Sequence, residues 1–247
     1  MAGRILIGVG GWTYEPWRGG FFPDGLPQKR ELEYMAGKLT SIEVNGTYYG
    51  LQKPATFARW REETPEGFVF ALKGSRYTTN RSRLAEAGDS VARFVASGIA
   101  ELGDKLGPIN WQLAPTKKFD RDDVAAFLDL LPETLGDRPL RHALEVRHPS
   151  FADDAFLDLA RARGVAVVLA GDSAYPRIEG GAEGFVYARI MGTKPAHAAG
   201  YAEDELDGWA AQARAWAEAG RDVYLYVISG HKTANPAAAL ELIARVG

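Results

Sequence analysis

The stretch that decides the fold is residues 142–170, which read HALEVRHPSFADDAFLDLARARGVAVVLA. Two short apolar runs, His142–Arg147 and Val165–Ala170, have the length and composition typical of buried strands. Between them, Ala152–Arg163 has the spacing of an amphipathic helix, and Gly164 is suited to end it. A strand, a helix and a second strand in this order predict a βαβ unit and therefore a parallel sheet.

The same alternation runs along the rest of the chain. Eight candidate strands are separated by helix-period segments or loops, which fits the number of strands in a barrel of about 250 residues. We therefore predict an α/β fold, a (β/α)8 TIM barrel formed by residues 1–247 as a single domain. A doubly wound open sheet is the alternative, because one sequence does not give the strand order. The eight strands are Ile5–Gly10, Ser41–Gly46, Phe68–Lys73, Pro108–Leu113, His142–Arg147, Val165–Ala170, Phe185–Ile190 and Val223–Ile228.

The helix boundaries are predicted from capping residues. Asp120 is placed as the N-cap of one helix, Ser150 with Asp153 resembles a capping box, and Asn235 before a proline is expected to cap the last helix. The connection from the sixth to the seventh strand, between Ala170 and Phe185, has no helical period and is predicted to lack a full helix. The other predicted helices are Asp89–Gly103, Arg121–Leu131 and Glu203–Ala219.

Composition excludes several classes of function. The 247 residues contain no cysteine and four histidines, so disulfides, thiolate nucleophiles and cysteine-ligated metals are excluded and a histidine-rich metal site is disfavoured. The formal charge of −3 argues against broad nucleic-acid binding, which needs a basic surface. The sequence contains no run of about 18 apolar residues, so no membrane span is predicted, and no signal peptide is recognisable. We expect a cytoplasmic protein, of undetermined oligomeric state.

Polar side chains near the C-terminal ends of the strands indicate the functional end of the barrel. Since alternate strand residues share a face, Glu43 lies on the face of Asn45, and Glu145 lies on the face of Arg147. Burial of such groups costs several kcal/mol unless they are paired or functional. A structural salt-bridge network is the alternative interpretation. The other strands contribute Lys73, Gln112, Asp172 and Arg189.

Short motifs spread over nearly the whole chain are shared with one protein family. These motifs are Gly11-Trp12-Thr13-Tyr14 with Trp17, Arg18 and Phe22-Pro23, Glu43-Val44-Asn45-Gly46-Thr47-Tyr48-Tyr49, Phe70-Ala71-Leu72-Lys73, Leu106-Gly107-Pro108 with Gln112, Glu145-Val146-Arg147-His148-Pro149-Ser150, and Ala234-Asn235. In this combination the chain resembles the YecE-like family, domain of unknown function 72. The resemblance implies a TIM-barrel fold with a polar pocket and no established reaction. The chain departs from the family pattern at Gly46, at Ala114-Pro115 and at Val227-Ile228-Ser229.

We expect the barrel to bind a small anionic molecule, phosphorylated or carboxylated and sugar-like. Barrels often bind phosphate at the loops after strands seven and eight, which here contain Lys194 and Lys232. Aromatic residues after the first two strands can stack on a sugar or a base. Trp17 is expected in the core, and only one of Tyr48 and Tyr49 in the pocket. The candidate binding residues are Trp12, Tyr14, Asn45, Tyr48, Gln112, Arg147, His148, Asp172, Arg189, Lys232 and Asn235.

The hypothesis for the chemistry is acid/base catalysis, with hydrolase, lyase and isomerase reactions left open. Glu43 or Glu145 is the expected general acid or base and Lys73 tunes it. Arg147 and Arg189 are expected to bind the anion. Glycoside hydrolysis by the two carboxylates and a Schiff base at Lys73 are minor alternatives.

No metal and no cofactor is predicted. A magnesium or manganese site formed by Glu43, Glu145, Asp172 and His148 is disfavoured because cations surround it. The competing class is a non-catalytic or nucleic-acid-associated barrel, which would bind single strands through aromatics and arginines near the mouth. Those arginines are Arg18, Arg59, Arg76, Arg81 and Arg83.

Overall fold

In the computed structural model, which describes residues 1–247, nine strands form one parallel sheet and two more form a small antiparallel pair. Each strand of the large sheet coincides with one of the predicted apolar runs or overlaps it. The strands are β1 (Ile5–Gly10), β2 (Ser41–Val44), β3 (Val69–Lys73), β4 (Leu106–Gln112), the antiparallel pair β5 (Thr134–Leu135) and β6 (Arg138–Pro139), then β7 (His142–Glu145), β8 (Ala166–Val167), β9 (Leu169–Gly171), β10 (Phe185–Ile190) and β11 (Asp222–Val227).

The order of the strands closes the large sheet into a barrel. It runs β8-β7-β4-β3-β2-β1-β11-β10-β9, so β8 and β9 occupy its two edges. These two short strands are separated along the chain by Val168 alone. One continuous segment therefore pairs with β7 on one side and with β10 on the other. The barrel has eight strand positions, which confirms the predicted fold and excludes the open sheet.

Nine α-helices surround the barrel, most of them in the connections between strands. No helix lies between Gly171 and Phe185, as the sequence predicts. No helix combines the length and the apolar character needed to cross a lipid bilayer. The helices are α1 (Glu31–Ala36), α2 (Gly46–Tyr49), α3 (Pro54–Glu62), α4 (Arg76–Thr79), α5 (Gly88–Val95), α6 (Arg121–Asp129), α7 (Asp154–Ala162), α8 (Glu203–Glu218) and α9 (Asn235–Val246).

The structure corrects two predicted helix boundaries. The helix expected over Asp89–Gly103 ends at Val95, because Gly98 has a φ of 107° that a continuing helix does not allow. A separate 3-10 segment, Ile99–Lys105, follows it. The cap of α7 is Asp153 rather than Ser150, since the Asp153 carboxylate accepts a hydrogen bond from the Ala155 amide at 2.8 Å.

The capping prediction for the last helix is also wrong. Asn235 has a helical φ of −56° and lies inside α9. Its side chain accepts a hydrogen bond from the Thr193 hydroxyl at 2.9 Å and donates one to the Ser229 carbonyl at 3.2 Å. In contrast, Asp120 caps α6 as predicted, because its carboxylate accepts from the amides of Asp122 and Asp123.

The period of two along the strands separates an outer core from the barrel interior. Outward residues such as Ile42 and Leu144 belong to the large apolar cluster between the sheet and the helices. The interior holds aliphatic residues, Phe185 and three tyrosines, and the tyrosine hydroxyls make contacts across it. The Tyr226 hydroxyl lies 2.7 Å from the Ser41 hydroxyl, although β1 separates their strands. The predicted assignment of Glu43 and Glu145 to the face opposite Ile42 and Leu144 is therefore confirmed.

A buried histidine next to this core gives a first testable prediction. His142 Nδ1 accepts a hydrogen bond from Trp111 Nε1 at 3.1 Å, so the ring is neutral and its Nε2 donates to the Pro132 carbonyl at 2.8 Å. Burial lowers the pKa of His142 below its ordinary value of 6.5. As the pH falls, His142 in the unfolded chain is therefore protonated at a higher pH than His142 in the folded chain. We expect the free energy of unfolding to fall as the pH decreases below about 6.5.

Urea denaturation between pH 7.5 and pH 5 measures this dependence. His142→Gln is expected to lower the free energy of unfolding at neutral pH. It is also expected to make that free energy decrease less steeply as the pH falls. The matched control is His231→Gln, at an exposed position. An unchanged pH slope in His142→Gln would contradict the assignment.

Candidate functional site

The guanidinium of Arg189 lies at the centre of a buried ionic cluster near the C-terminal end of the barrel. Its Nη1 donates to both carboxylate oxygens of Glu145, at 2.8 and 2.7 Å, and its Nη2 donates to Glu43 Oε1 at 3.0 Å. All three side chains are buried, and they come from β10, β7 and β2. One arginine therefore compensates two carboxylates across the barrel interior.

Other side chains satisfy the remaining oxygens of the two glutamates. The Tyr187 hydroxyl donates to Glu43 Oε2 at 2.7 Å, and Asn110 Nδ2 donates to Glu145 Oε2 at 3.1 Å. Burial alone would raise the pKa of Glu145, but Arg189, Arg147 and Lys73 reverse that effect and lower it to about 2. Glu145 is therefore ionised throughout the neutral range, and both carboxylates are shielded from solvent.

Arg147 forms the upper part of the cluster. Its Nε donates to Glu145 Oε1 at 2.8 Å, and its Nη2 donates to Gln112 Oε1 at 2.9 Å. The guanidinium also lies 4.4 Å from the ring centroid of Tyr175, whose hydroxyl accepts from Nη1 at 3.2 Å. The side chain is 16% exposed, so it is the arginine of the cluster that approaches solvent.

Lys73 is the cation of the cluster without a protein partner. It ends β3, is 8% exposed, and forms neither an ion pair nor a hydrogen bond through Nζ. Its ammonium lies 4.9 Å from the ring centroid of Tyr48. Burial, followed by the charge of Arg189, lowers the pKa of Lys73 to about 8, although Glu43 and Glu145 oppose the shift.

An aromatic cleft of about 440 Å³ lies at the C-terminal ends of β1 and β2, where it is lined by Val44 and Asn45, which follow Glu43 in the chain. Lys232 stands at its side, with Nζ 4.1 Å from the ring centroid of Tyr14, and burial lowers the pKa of Lys232. A Cβ on Gly10 would lie 2.8 Å from Asn45 Nδ2, so a larger residue at position 10 would displace the Asn45 side chain. The main lining residues are Trp12, Thr13, Tyr14, Asn45, Tyr49, Gln52, Trp60 and Lys232.

The structure brings most of the sequence-predicted residues to these two places. In the charged cluster lie Glu43, Lys73, Gln112, Glu145, Arg147 and Arg189, and in the cleft lie Trp12, Tyr14, Asn45 and Lys232. Tyr48 contacts Lys73, whereas its neighbour Tyr49 lines the cleft, so the two adjacent tyrosines do face different surroundings. Trp17 is buried in the core, as expected.

Three predicted binding residues lie in neither place and stabilise loops. Asp172 accepts hydrogen bonds from the Met191 amide at 2.6 Å and from the Tyr201 hydroxyl at 2.7 Å. His148 Nδ1 lies 2.8 Å from the Ser150 hydroxyl, and Asn235 is buried against Thr193. Their roles in ligand binding stay predictions.

Two further expectations concern the loops and a metal. Lys194, one of the two loop lysines, pairs with Glu205 at 2.7 Å on the surface and not with the cleft. No three His, Asp or Glu side chains of the chain are grouped as ligands for one metal ion. Glu43 and Glu145 pair with Arg189 instead. Asp172 and His148 form hydrogen bonds within loops.

Sequence reasoning missed several members of the site. Asn110 and Tyr187 each lie two residues before a predicted polar residue, Gln112 and Arg189, so the period of two along β4 and β10 could have identified them. Tyr175 lies in the loop after β9, where no periodicity indicates the direction of a side chain.

The comparisons with known proteins agree with this architecture. Residues 6–247 match the family described as "Protein of unknown function DUF72". The UPF0759 protein YecE of Escherichia coli K12 is 31% identical over 151 residues, which cover 60% of this chain and 50% of YecE. YunF of Bacillus subtilis is 24% identical over 159 residues, covering 62% and 54% of the two chains. The chain thus spans about half the length of these curated relatives.

Solved structures of the same family share the fold. A DUF72 family protein from Thermotoga maritima has a TM-score of 0.75 at 21% identity, with 98% of each chain covered. One from Enterococcus faecalis has a TM-score of 0.76 at 17% identity, covering 98% of this chain and 95% of the other. The protein is thus a TIM-barrel-like α/β protein. It belongs to the DUF72 family, for which the matched description states no function.

The ionic cluster gives a second testable prediction. Arg189→Met would leave two buried carboxylates without their shared partner, and breaking a buried pair in this way costs roughly 3–5 kcal/mol of folding free energy. The matched control is Arg161→Met, which removes an exposed ion pair with Asp158 and should cost at most about 1 kcal/mol. Chemical denaturation at pH 7 measures both variants. If Arg189→Met and Arg161→Met had equal free energies of unfolding, the central role of Arg189 would be contradicted.

Proposed function

We propose that the chain is an enzyme that binds a small anionic molecule at the barrel mouth and acts on it by acid/base chemistry. Lys73 is the group that exchanges a proton with the ligand. Glu43 and Glu145 are positioning residues in this proposal, because their carboxylates are buried and fully hydrogen-bonded. They hold Arg189 and set the charge around Lys73.

The observation that carries the proposal is the charge balance of the cluster. Three cations, Lys73, Arg147 and Arg189, accompany two carboxylates, Glu43 and Glu145. The uncompensated charge resides on Lys73, the side chain with no partner. In a site of low dielectric constant, a single unpaired cation attracts an anion much more strongly than it does in water.

The neighbouring cleft supports a ligand that also has an apolar or sugar-like face. Tyr14 and Trp12 offer aromatic surfaces there, while Asn45 and Gln52 offer amide groups that can bind hydroxyls. Lys232 adds a second cation at its side. A phosphorylated or carboxylated compound of sugar size combines these requirements.

A thermal-shift screen with sugar phosphates and small carboxylic acids tests this function. A ligand at 100 times its dissociation constant adds about 2.7 kcal/mol of stability, which raises the midpoint by roughly 5–10 °C in a protein of this size. The shift should disappear in Lys73→Met and weaken in Lys232→Met. It should persist in Lys53→Met, which changes an exposed lysine. The absence of a shift with every anion would overturn the proposal.

The pKa of Lys73 makes anion binding dependent on pH. Because this pKa is about 8, the ammonium is present below pH 8 and is lost as the pH rises through that value. We expect the affinity for an anion found in the screen to decrease between pH 7 and pH 9. Calorimetric titration across this range measures the change. In Lys73→Met the affinity should be lower and nearly constant with pH, and an unchanged profile would exclude Lys73.

A second candidate function, binding of single-stranded nucleic acid, has its own observation. Tyr49 and Tyr77 are 65% and 62% exposed near the mouth, and the Arg76 guanidinium lies within 5.9 Å of both ring centroids. Exposed aromatics with arginines are typical of such surfaces. Of the other arginines that favoured this class, Arg18, Arg59 and Arg83 are paired with glutamates.

Oligonucleotide binding at several salt concentrations separates the two functions. A steep loss of affinity with salt, together with a defect in Tyr77→Ala, would favour nucleic acid. Binding of small anions that is unaffected by Tyr77→Ala would favour the enzyme.

A further inference from the structure

The position of Lys73 differs from that of every other cation in the barrel interior. Arg189 and Arg147 use their donors on carboxylate and amide oxygens, whereas Lys73 Nζ has no acceptor and lies beneath the mouth at the end of β3. Its backbone is held on both sides, because β3 pairs with β2 and β4. The amine is thus fixed on a rigid element while its nitrogen stays free to react.

We propose that Lys73 forms a covalent imine with the carbonyl carbon of a small anionic aldehyde or ketone. This inference rests on the proposed function and deepens it, since it names the reactive group of the ligand. A 2-oxo acid or a phosphorylated sugar in its open-chain form has the required carbonyl and the required charge.

The reaction balances with water as the only by-product. The lone pair of neutral Nζ attacks the carbonyl carbon, and a proton moves from nitrogen to oxygen to give a carbinolamine. Protonation of its hydroxyl by solvent at the open side of the mouth releases water and leaves a protonated imine. Addition of water reverses these steps and frees Lys73. No oxidant or reductant takes part.

The surroundings of Lys73 suit a positively charged imine. The Tyr48 ring, whose centroid is 4.9 Å from Nζ, stabilises a cation by its π face. Asn110, the register neighbour of Lys73 on β4, has a buried Oδ1 with no hydrogen-bond donor. That oxygen faces the same interior and can accept a hydrogen bond from the N–H of the protonated imine. The anionic group of the ligand provides the compensating negative charge, because Glu43 and Glu145 are already paired with the two arginines.

The neutral amine is also available at neutral pH. With the pKa of Lys73 near 8, about one molecule in ten is neutral at pH 7, which is roughly 300 times the fraction for an ordinary lysine. The nucleophilicity of a free base falls with its pKa, so the net advantage in rate is about tenfold or more. Exposed lysines in the same chain therefore serve as internal references.

Reductive trapping tests the proposal on the full chain. The protein is incubated at pH 7 with pyruvate or with glyceraldehyde 3-phosphate, reduced with borohydride, digested and mapped by mass spectrometry. We expect reduced adduct on Lys73 to form at least about tenfold faster than on the exposed Lys53 and Lys118. Lys73→Arg keeps the charge and should show no preferred site.

Matched compounds without a carbonyl separate this inference from the proposed function. Lactate and glycerol 3-phosphate carry the same charges but form no imine. If they stabilise the protein thermally and Lys73 is labelled no faster than Lys53, the imine is wrong and anion binding stands. If none of the four compounds binds and Lys73 is not labelled, both proposals fail. The labelling comparison within the wild-type chain remains decisive even if Lys73→Arg does not fold.

Discussion

The shared ion pairs of Arg189 with Glu43 and Glu145 are the interaction on which the barrel interior depends. A buried carboxylate without a partner costs several kcal/mol, and two in one interior also repel each other. The planar guanidinium has donors on more than one edge, so it binds both glutamates at once. A lysine ammonium is a point charge and does not offer this geometry. The three strands that carry these residues are thereby joined across the interior as well as through the sheet.

These ion pairs determine which cation of the cluster has no hydrogen-bond acceptor. Arg189 is used by both glutamates, and Arg147 is shared by Glu145, Gln112 and Tyr175. Only Lys73 is left without an acceptor. In the proposed function, structural and reactive roles are therefore divided within a single cluster, with the carboxylates shielded from solvent and the unpaired amine beneath the mouth. The salt-bridge network and the functional site, which the sequence presents as alternative interpretations, are compatible in this geometry.

Much of this could be predicted because it depends on local periodicity. Alternation of Glu43 and Asn45 with apolar neighbours predicts which side chains face inward, and eight strand-like runs predict the barrel. The pairing of Arg189 with Glu145 could not be predicted, since 44 residues separate them and their approach depends on closure of the sheet. The contacts of Asp172 could not be predicted for a related reason. It follows a strand with a φ of 44°, and its carboxylate accepts a hydrogen bond from the Met191 amide in the next loop along the chain.

The choice of Lys73 over the glutamates as the reactive group follows from the same electrostatics. The cations that lower the pKa of Glu145 to about 2 make it a poor base at neutral pH, and burial removes it from a ligand. Arg189 also contributes to the lowered pKa of Lys73, which at about 8 is suited to proton transfer near neutrality. Removal of Arg189 would thus act on both properties, because it would leave two unpaired carboxylates whose charge raises the pKa of Lys73. The stability of the interior and the proposed reactivity of Lys73 thus depend on one set of charges.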